Sequence, residues 1–163
     1  MKQMEYSRPV IEAKSLPKGI HCFTFPVQDA FFAEFENTEI LHASLTTDVE
    51  INKSKEDTPY ISVEIKGDVV LLCDRCLGHV TVPVFHKGVL TGEETEECTD
   101  LATGSIDLTQ YIYDYVCLAL PIRRVHLSEE ICSAEVPALW KHQEEKENFN
   151  DTAFSGLKDL IKK

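Results

Sequence analysis

The chain has 163 residues, of which 43% are hydrophobic and 27% are charged, and its formal net charge at pH 7 is −12. This length and composition are enough for one globular core and exclude the disordered and fibrous classes. The acidic charge disfavours a protein that coats nucleic acid, because such proteins bind by releasing phosphate counterions, and it suits binding to basic proteins instead. With no signal-like N-terminus and no apolar run long enough to span a bilayer, we expect a cytoplasmic protein whose cysteines are reduced.

The first half of the chain carries alternating patterns that predict β-strands. Residues 20–27 alternate apolar and polar side chains, and so does the longer stretch of residues 41–51. Between them, Asp29 is predicted to cap a short helix over residues 30–36, which buries its phenylalanines. The charged residues 52–59 then predict a turn.

The next two alternating stretches enclose a Cys-x-x-Cys motif. Residues 60–72 and 80–84 predict strands, and Cys73, Cys76 and Gly78 lie between them. The pattern predicts a β-hairpin whose tip brings both sulfur atoms to one point, with Gly78 supplying the backbone freedom of a tight turn. Four strands with short connections predict a mostly antiparallel sheet.

The stretch after the hairpin predicts a loop and a helix. Residues 91–104 hold five acidic side chains and no basic one, so we expect a mobile acidic loop there. Asp107 and Gln110 fit a variant capping box for an amphipathic helix over residues 107–119, which Pro121 ends.

The C-terminal residues show helical rather than strand patterns. Pro137 is predicted to open one helix and Asp151 to cap another, whose apolar residues share one face. The predicted fold is therefore α+β, an antiparallel β-sheet with one packed helix. Residues 1–132 form the core domain, which carries the Cys-x-x-Cys hairpin, and residues 133–163 form a helical C-terminal appendage.

The two hairpin cysteines supply half of a tetrahedral zinc site. His126 and Cys132 are the candidates for the other half, because they lie on an irregular segment after Pro121 that can fold back over a hairpin tip. Cys73, Cys76, His126 and Cys132 would then form a closed, structural zinc site in a zinc-knuckle-like hairpin. The alternative is that the two halves do not meet and that Cys132 is a small buried residue.

Other chemistry has little support in the sequence. Thioredoxin-type motifs place their first cysteine at a helix N-terminus, whereas a valine-rich strand follows this motif. The sequence contains no Gly-x-Ser-x-Gly, no His-Glu-x-x-His and no phosphate-binding glycine loop. We therefore predict a protein that is not an enzyme, has no small-molecule substrate and keeps Cys22, Cys98 and Cys117 as lone thiols.

Basic side chains lie next to the candidate metal ligands. Arg75 is inside the motif, His79 follows it, and Arg123 and Arg124 precede His126. If the site closes, these residues form one basic patch on an acidic molecule. They either balance the negative charge that three thiolates leave on Zn²⁺ or contact phosphate groups of RNA.

Three stretches of the sequence together resemble the YceD-like family of bacterial and plastid proteins. These stretches are Cys73-Asp74-Arg75-Cys76-Leu77, Ile106-Asp107-Leu108 with Ala119-Leu120-Pro121, and His126 with Cys132. The likeness runs from about Ile20 to the C-terminus, although Asp151-Thr152-Ala153-Phe154 stands where the family often has Asp-Pro-Arg-Trp.

That family is linked to the accumulation of large-subunit ribosomal RNA. The resemblance implies a non-enzymatic, metal-binding factor of ribosome biogenesis whose partner is ribosomal RNA, a large-subunit ribosomal protein or the pre-ribosome. A competing hypothesis follows from the charge of −12, namely an adaptor that holds a basic ribosomal protein on its acidic face.

Overall fold

A computed structural model describes residues 8–53, 59–128 and 132 of the chain. Within these ranges it has six strands, three α-helices and a 3₁₀ turn at Ala13–Ser15. In chain order the elements are β1 (Val10–Ile11), β2 (Gly19–Gln28), α1 (Asp29–Ala33), β3 (His42–Lys53), β4 (Tyr60–Leu72), β5 (His79–Val89), α2 (Gly92–Cys98), β6 (Ile106–Asp107) and α3 (Thr109–Ala119). The predicted α+β class is confirmed.

The main sheet is an antiparallel meander in which β2, β3, β4 and β5 lie side by side in chain order. A second, two-stranded sheet joins β1 to β6. All four predicted strands are present. The predicted hairpin is formed by β4 and β5, and its turn is at residues 73–78.

One face of the meander forms the core. Every second residue of the two central strands is buried, with Gly67 half-buried in the same row; these buried residues are Ala43, Leu45, Thr47, Val49, Ile51, Ile61, Val63, Ile65, Val69 and Leu71. Helix α3 adds Tyr111, Ile112 and Val116 to this core, and Leu108, the residue before the helix, is buried with them. Each large aliphatic side chain buried in this way contributes roughly 1.5–3 kcal/mol to folding. The alternation that predicted the strands is therefore the alternation between core and solvent.

The acidic loop predicted over residues 91–104 is wrong in its first half, where the chain forms helix α2. Thr91 Oγ1 accepts a hydrogen bond from the Glu94 N–H at 3.3 Å, and the Glu94 carboxylate accepts one from the Thr91 N–H at 2.8 Å. Tyr115 also donates to Glu94, at 2.8 Å, and so attaches α2 to α3. Glu93 and Glu94 lie in the first turn, where the helix dipole favours negative charge, so two of the five acidic residues that predicted a loop stabilise the start of a helix.

The capping box makes a specific prediction for α2. Replacing Thr91 by alanine removes the hydroxyl acceptor and is expected to lower the free energy of unfolding by about 1 kcal/mol. Thr91→Ser keeps the hydroxyl and serves as the matched control. Urea unfolding of both variants measures the difference, and equal losses for serine and alanine would show that the cap does not stabilise the helix.

The other two predicted caps are formed differently. Helix α1 begins at Asp29 itself, whose carboxylate accepts the Ala43 N–H at 2.6 Å and lies 3.1 Å from the His42 ring. The Ala43 hydrogen bond holds the pKa of Asp29 below its usual range. The capping box predicted for α3 is formed in half: the Asp107 carboxylate accepts the Thr109 N–H at 2.9 Å, while Gln110 donates to Asp114 at 2.8 Å instead of to the helix N-terminus. For Asp29 and Gln110, therefore, another contact takes the side chain that was expected to cap the helix.

The predicted C-terminal appendage of residues 133–163, including the helices at Pro137 and Asp151, lies outside the described residues. The division of the chain at residue 132 therefore stays a prediction.

Candidate metal centre

The hairpin turn between β4 and β5 presents the first two sulfur atoms. The Cys73 N–H donates to the Gly78 carbonyl at 2.8 Å, and the Leu77 N–H donates to the Cys73 carbonyl at 3.0 Å. Leu77 has a φ of 60°, so the left-handed residue of this turn precedes the glycine to which the sequence analysis gave that role. This tight turn directs Cys73 and Cys76 inward, and both are buried.

The residues after α3, here called the return segment (residues 121–128), fold back over this turn as predicted. The Asp74 N–H donates to the Arg124 carbonyl at 2.7 Å, and the Arg124 N–H donates to the Asp74 carboxylate at 2.7 Å. The Arg124 guanidinium also donates to Glu39 at 2.8 Å. These contacts hold the segment in the position from which His126 reaches the cysteines.

The structure brings the four predicted ligands together. The three sulfur atoms and a ring nitrogen of His126 all lie within 4.8 Å of one another. Cys73 Sγ is 3.6 Å from Cys132 Sγ, and Cys76 Sγ is 3.5 Å from His126 Nδ1. The alternative that the two halves stay apart is therefore wrong.

These distances fit tetrahedral zinc coordination. Zn–S bonds of about 2.3 Å and Zn–N bonds of about 2.0–2.1 Å at tetrahedral corners separate two sulfurs by about 3.8 Å, and a sulfur from a nitrogen by about 3.6 Å. Two of the observed separations, 3.6 Å and 3.5 Å, are close to these values, and all four ligand atoms lie within 4.8 Å of one another. Three cysteine sulfurs and one imidazole form a soft donor set of the kind that structural zinc sites use, so the cluster could hold such an ion.

The backbone of His79 orients the His126 ring. His126 Nε2 lies 3.0 Å from the His79 carbonyl oxygen, and because a carbonyl only accepts, Nε2 carries the proton. The lone pair is then on Nδ1, the nitrogen that faces Cys76. A ligand histidine is commonly fixed in its binding tautomer by such a contact. His79 thus acts on the cluster through its backbone.

The local environment of the cluster shifts the pKa values of Cys73 and Cys132 in opposite directions. Burial disfavours the thiolate of Cys73, but the backbone N–H groups of Cys76, Arg75 and His126 donate to its sulfur and lower its pKa. Burial and the neighbouring Cys73 and Cys76 thiols raise the pKa of Cys132. The turn therefore favours the thiolate form of Cys73 by itself, and a bound divalent cation would favour the thiolate form of Cys132 as well.

The basic residues predicted to surround the site differ in what they can contact. Arg75 and Arg123 are exposed. The Arg124 side chain is only 25% exposed and is paired with Glu39, so it has a structural partner in the return segment. The roles of Glu39 and Asp74 could not be predicted from the sequence, since carboxylates that bind a distant backbone or arginine leave no local pattern.

The remaining cysteines lie apart from the cluster of four, as predicted. Cys22 is exposed, while Cys98 and Cys117 are half-buried. Burial, together with nearby carboxylates, raises the pKa of Cys98 to about 11, and burial also raises the pKa of Cys117. Both half-buried thiols are therefore poor nucleophiles at neutral pH.

Comparison with known families adds to this description. A family model described as large ribosomal RNA subunit accumulation protein YceD matches residues 61–161, which is more than half of the chain. The match begins at β4, later than the Ile20 start of the resemblance, and contains all four cluster residues. The comparisons with curated proteins and with solved structures gave no match. Among the described residues, no helix has both the length and the apolar character needed to cross a membrane.

Proposed function

Since the chain belongs to the YceD family of large ribosomal RNA subunit accumulation proteins, we propose that it is a non-enzymatic factor in the accumulation of that RNA. Its place of action is the cytoplasm, and its partners are ribosomal RNA or a large-subunit ribosomal protein in the pre-ribosome. The family match, which spans the whole Cys/His cluster, is the observation that carries this proposal.

The second part of the proposal is a structural zinc ion held by Cys73, Cys76, His126 and Cys132 in a zinc-knuckle-like hairpin. Four protein ligands complete a tetrahedral shell and leave no open position for a substrate or a reactive water. This supports a role in stability and argues against metal-assisted catalysis at this site. The ion would join the hairpin turn to the return segment and to Cys132.

The contact surface of the proposed factor is the end of the molecule that holds Arg75, His79, Arg123 and Arg124. Arg75 and Arg123 are its exposed cations, and Arg124 supports the segment that displays Arg123. Two phosphate contacts would give a shallow salt dependence with single-stranded RNA, a slope of roughly −1.4. Such weak steering from a chain of net charge −12 favours a composite partner over naked RNA.

The proposed function predicts a defect in cells that lack the protein. We expect large-subunit ribosomal RNA to fall relative to small-subunit ribosomal RNA, and the wild-type chain to restore it. Cys132→Ser should fail to restore it, because it removes a metal ligand, whereas Cys22→Ser, which changes an exposed thiol, should succeed. Quantifying both RNAs tests the proposal. An unchanged ratio in the deletion strain would contradict it.

The adaptor hypothesis keeps one specific observation in its favour. Helix α2 exposes Glu93, Glu96 and Glu97 on a molecule of net charge −12. If a basic ribosomal protein binds there, binding should weaken strongly with salt, and Glu96→Lys with Glu97→Lys should abolish it. Those substitutions leave Arg75 and Arg123 unchanged, so they distinguish the acidic face from the arginine surface.

A further inference from the structure

Five large apolar side chains are exposed on the segments that carry or adjoin Cys73, Cys76 and His126. They come from the end of β4, the hairpin turn, the last turn of α3 and the return segment, and they are Leu72, Leu77, Leu118, Ile122 and Leu127, here called the apolar rim. Ile122 and Leu127 are as exposed as side chains in an extended peptide, with relative exposures of 104% and 108%. Exposed apolar groups gathered on one part of a fold mark interaction sites more often than scattered ones do.

The fold holds this rim outward. Three hydrogen bonds tie the return segment to the hairpin: the Asp74 N–H to the Arg124 carbonyl, the Arg124 N–H to the Asp74 carboxylate, and the His126 ring to the His79 carbonyl. These contacts fix the backbone between Ile122 and Leu127. Because this surface is already ordered, little of its conformational entropy is lost when a partner docks there.

The charge beside the rim indicates the chemistry of the partner. Arg75 follows Asp74 and Arg123 precedes Arg124, and two hydrogen bonds join Asp74 to Arg124, so both arginines adjoin the same contact. Both are exposed on an otherwise acidic molecule. A guanidinium pairs well with a carboxylate, through two parallel hydrogen bonds, while aliphatic side chains need an apolar partner. Phosphate groups of RNA would also pair with arginine, but the phosphate backbone offers no aliphatic surface that could cover the rim.

We propose that the apolar rim, with Arg75 and Arg123, is a docking surface for a protein segment whose apolar side chains are flanked by Asp or Glu. The inference deepens the proposed function, on which it rests for the biological setting, by assigning the class of partner at the end of the molecule that carries the Cys/His cluster. It also separates two surfaces: the rim takes an acidic, apolar segment, whereas α2 would suit a basic one.

Site-specific photo-cross-linking in cells tests this surface on the full chain. A benzophenone amino acid at position 127 is expected to cross-link to protein, and the captured peptide should combine apolar and acidic residues. The matched control places the same group at position 101, because Leu101 is also exposed, at 92%, but lies in the turn between α2 and β6. Adducts that are sensitive to ribonuclease, or equal capture from both positions, would overturn the proposal.

The captured peptide is then synthesised and titrated against purified full-length protein. Ile122→Ser and Arg123→Glu are each expected to weaken its binding about tenfold, and Leu101→Ser to leave it unchanged. Substitution of an exposed side chain should preserve the fold, which circular dichroism checks. Equal affinities for all variants would reject the rim as the binding surface.

The two proposals fail in different ways. If deletion of the gene leaves large-subunit ribosomal RNA unchanged, the proposed function is wrong whatever the cross-links show. If deletion lowers that RNA but position 127 captures no protein, only the docking surface is wrong.

Discussion

Removing the metal from the cluster is expected to destabilise the protein by more than about 4 kcal/mol, because loss of a structural metal belongs to the small set of changes with such large effects. Structural zinc contributes about 10–16 kcal/mol of apparent binding free energy in small peptides at neutral pH, and part of that becomes folding free energy here. A chelator should therefore lower the melting temperature of the wild-type protein. Cys76→Ser should lower it without a chelator and should not respond to one.

Two cysteine variants control for the loss of a thiol as such. Cys117→Ser changes a half-buried thiol and Cys22→Ser an exposed one, and both lie outside the cluster. Metal analysis of anaerobically prepared protein should give about one zinc per chain for the wild type and these controls. Absence of metal from the wild type, or a Cys76→Ser variant as stable as Cys117→Ser, would contradict the zinc proposal.

Replacing Gly67 by alanine is expected to destabilise the central sheet by about 2–6 kcal/mol, since it adds backbone strain to a steric clash. Gly67 lies in β4 opposite Leu45 of β3 and has a φ of 143°. A Cβ atom there would overlap the Ser44 carbonyl oxygen and lie 2.8 Å from the Leu45 Cα. Both neighbours are backbone atoms of the adjacent strand, so neither can move without disturbing the pairing.

Substitutions at two other glycines separate the contributions of backbone strain and steric clash to this loss of stability. Gly19 has a similar φ of 138° but nothing within 4 Å of its Cβ position, so Gly19→Ala measures the backbone strain alone. Gly92 has free space and begins helix α2, where alanine should be neutral or slightly stabilising. Urea unfolding of all three variants provides the comparison. A Gly67→Ala loss no larger than that of Gly19→Ala would show that the sheet accommodates the clash.

The sequence was most informative where a single physical pattern dominates. The strands were predictable because one face of the meander is buried. Every second residue of β3 is therefore buried, and each of these residues except Thr47 is apolar. The cluster was predictable because Cys-x-x-Cys is a short-range motif and Pro121 releases the chain from α3 just before His126 and Cys132.

The errors came from competing signals and from long-range contacts. In α2 two signals compete: the acidic composition favours a loop, whereas the spacing of Thr91 and Glu94 marks the start of a helix, and the helix forms. The hairpin turn at the Cys/His cluster uses Leu77 in a left-handed conformation, which non-glycine residues seldom adopt. Glu39 and Arg124 are 85 positions apart, so their ion pair depends on the finished fold and on no local pattern.

The separation of the cluster residues along the chain has a consequence for biosynthesis. Cys73 and Cys132 are 59 positions apart, and the intervening chain contains β5, α2, β6 and α3. The meander pairs only successive strands, so it can assemble while the chain is being synthesised. The cluster, in contrast, cannot form until its last cysteine has been added. Joining the ends of so long a loop also removes many conformations from the unfolded chain. Closure of the cluster is therefore expected to be a late step of folding, which requires translation of the chain through Cys132.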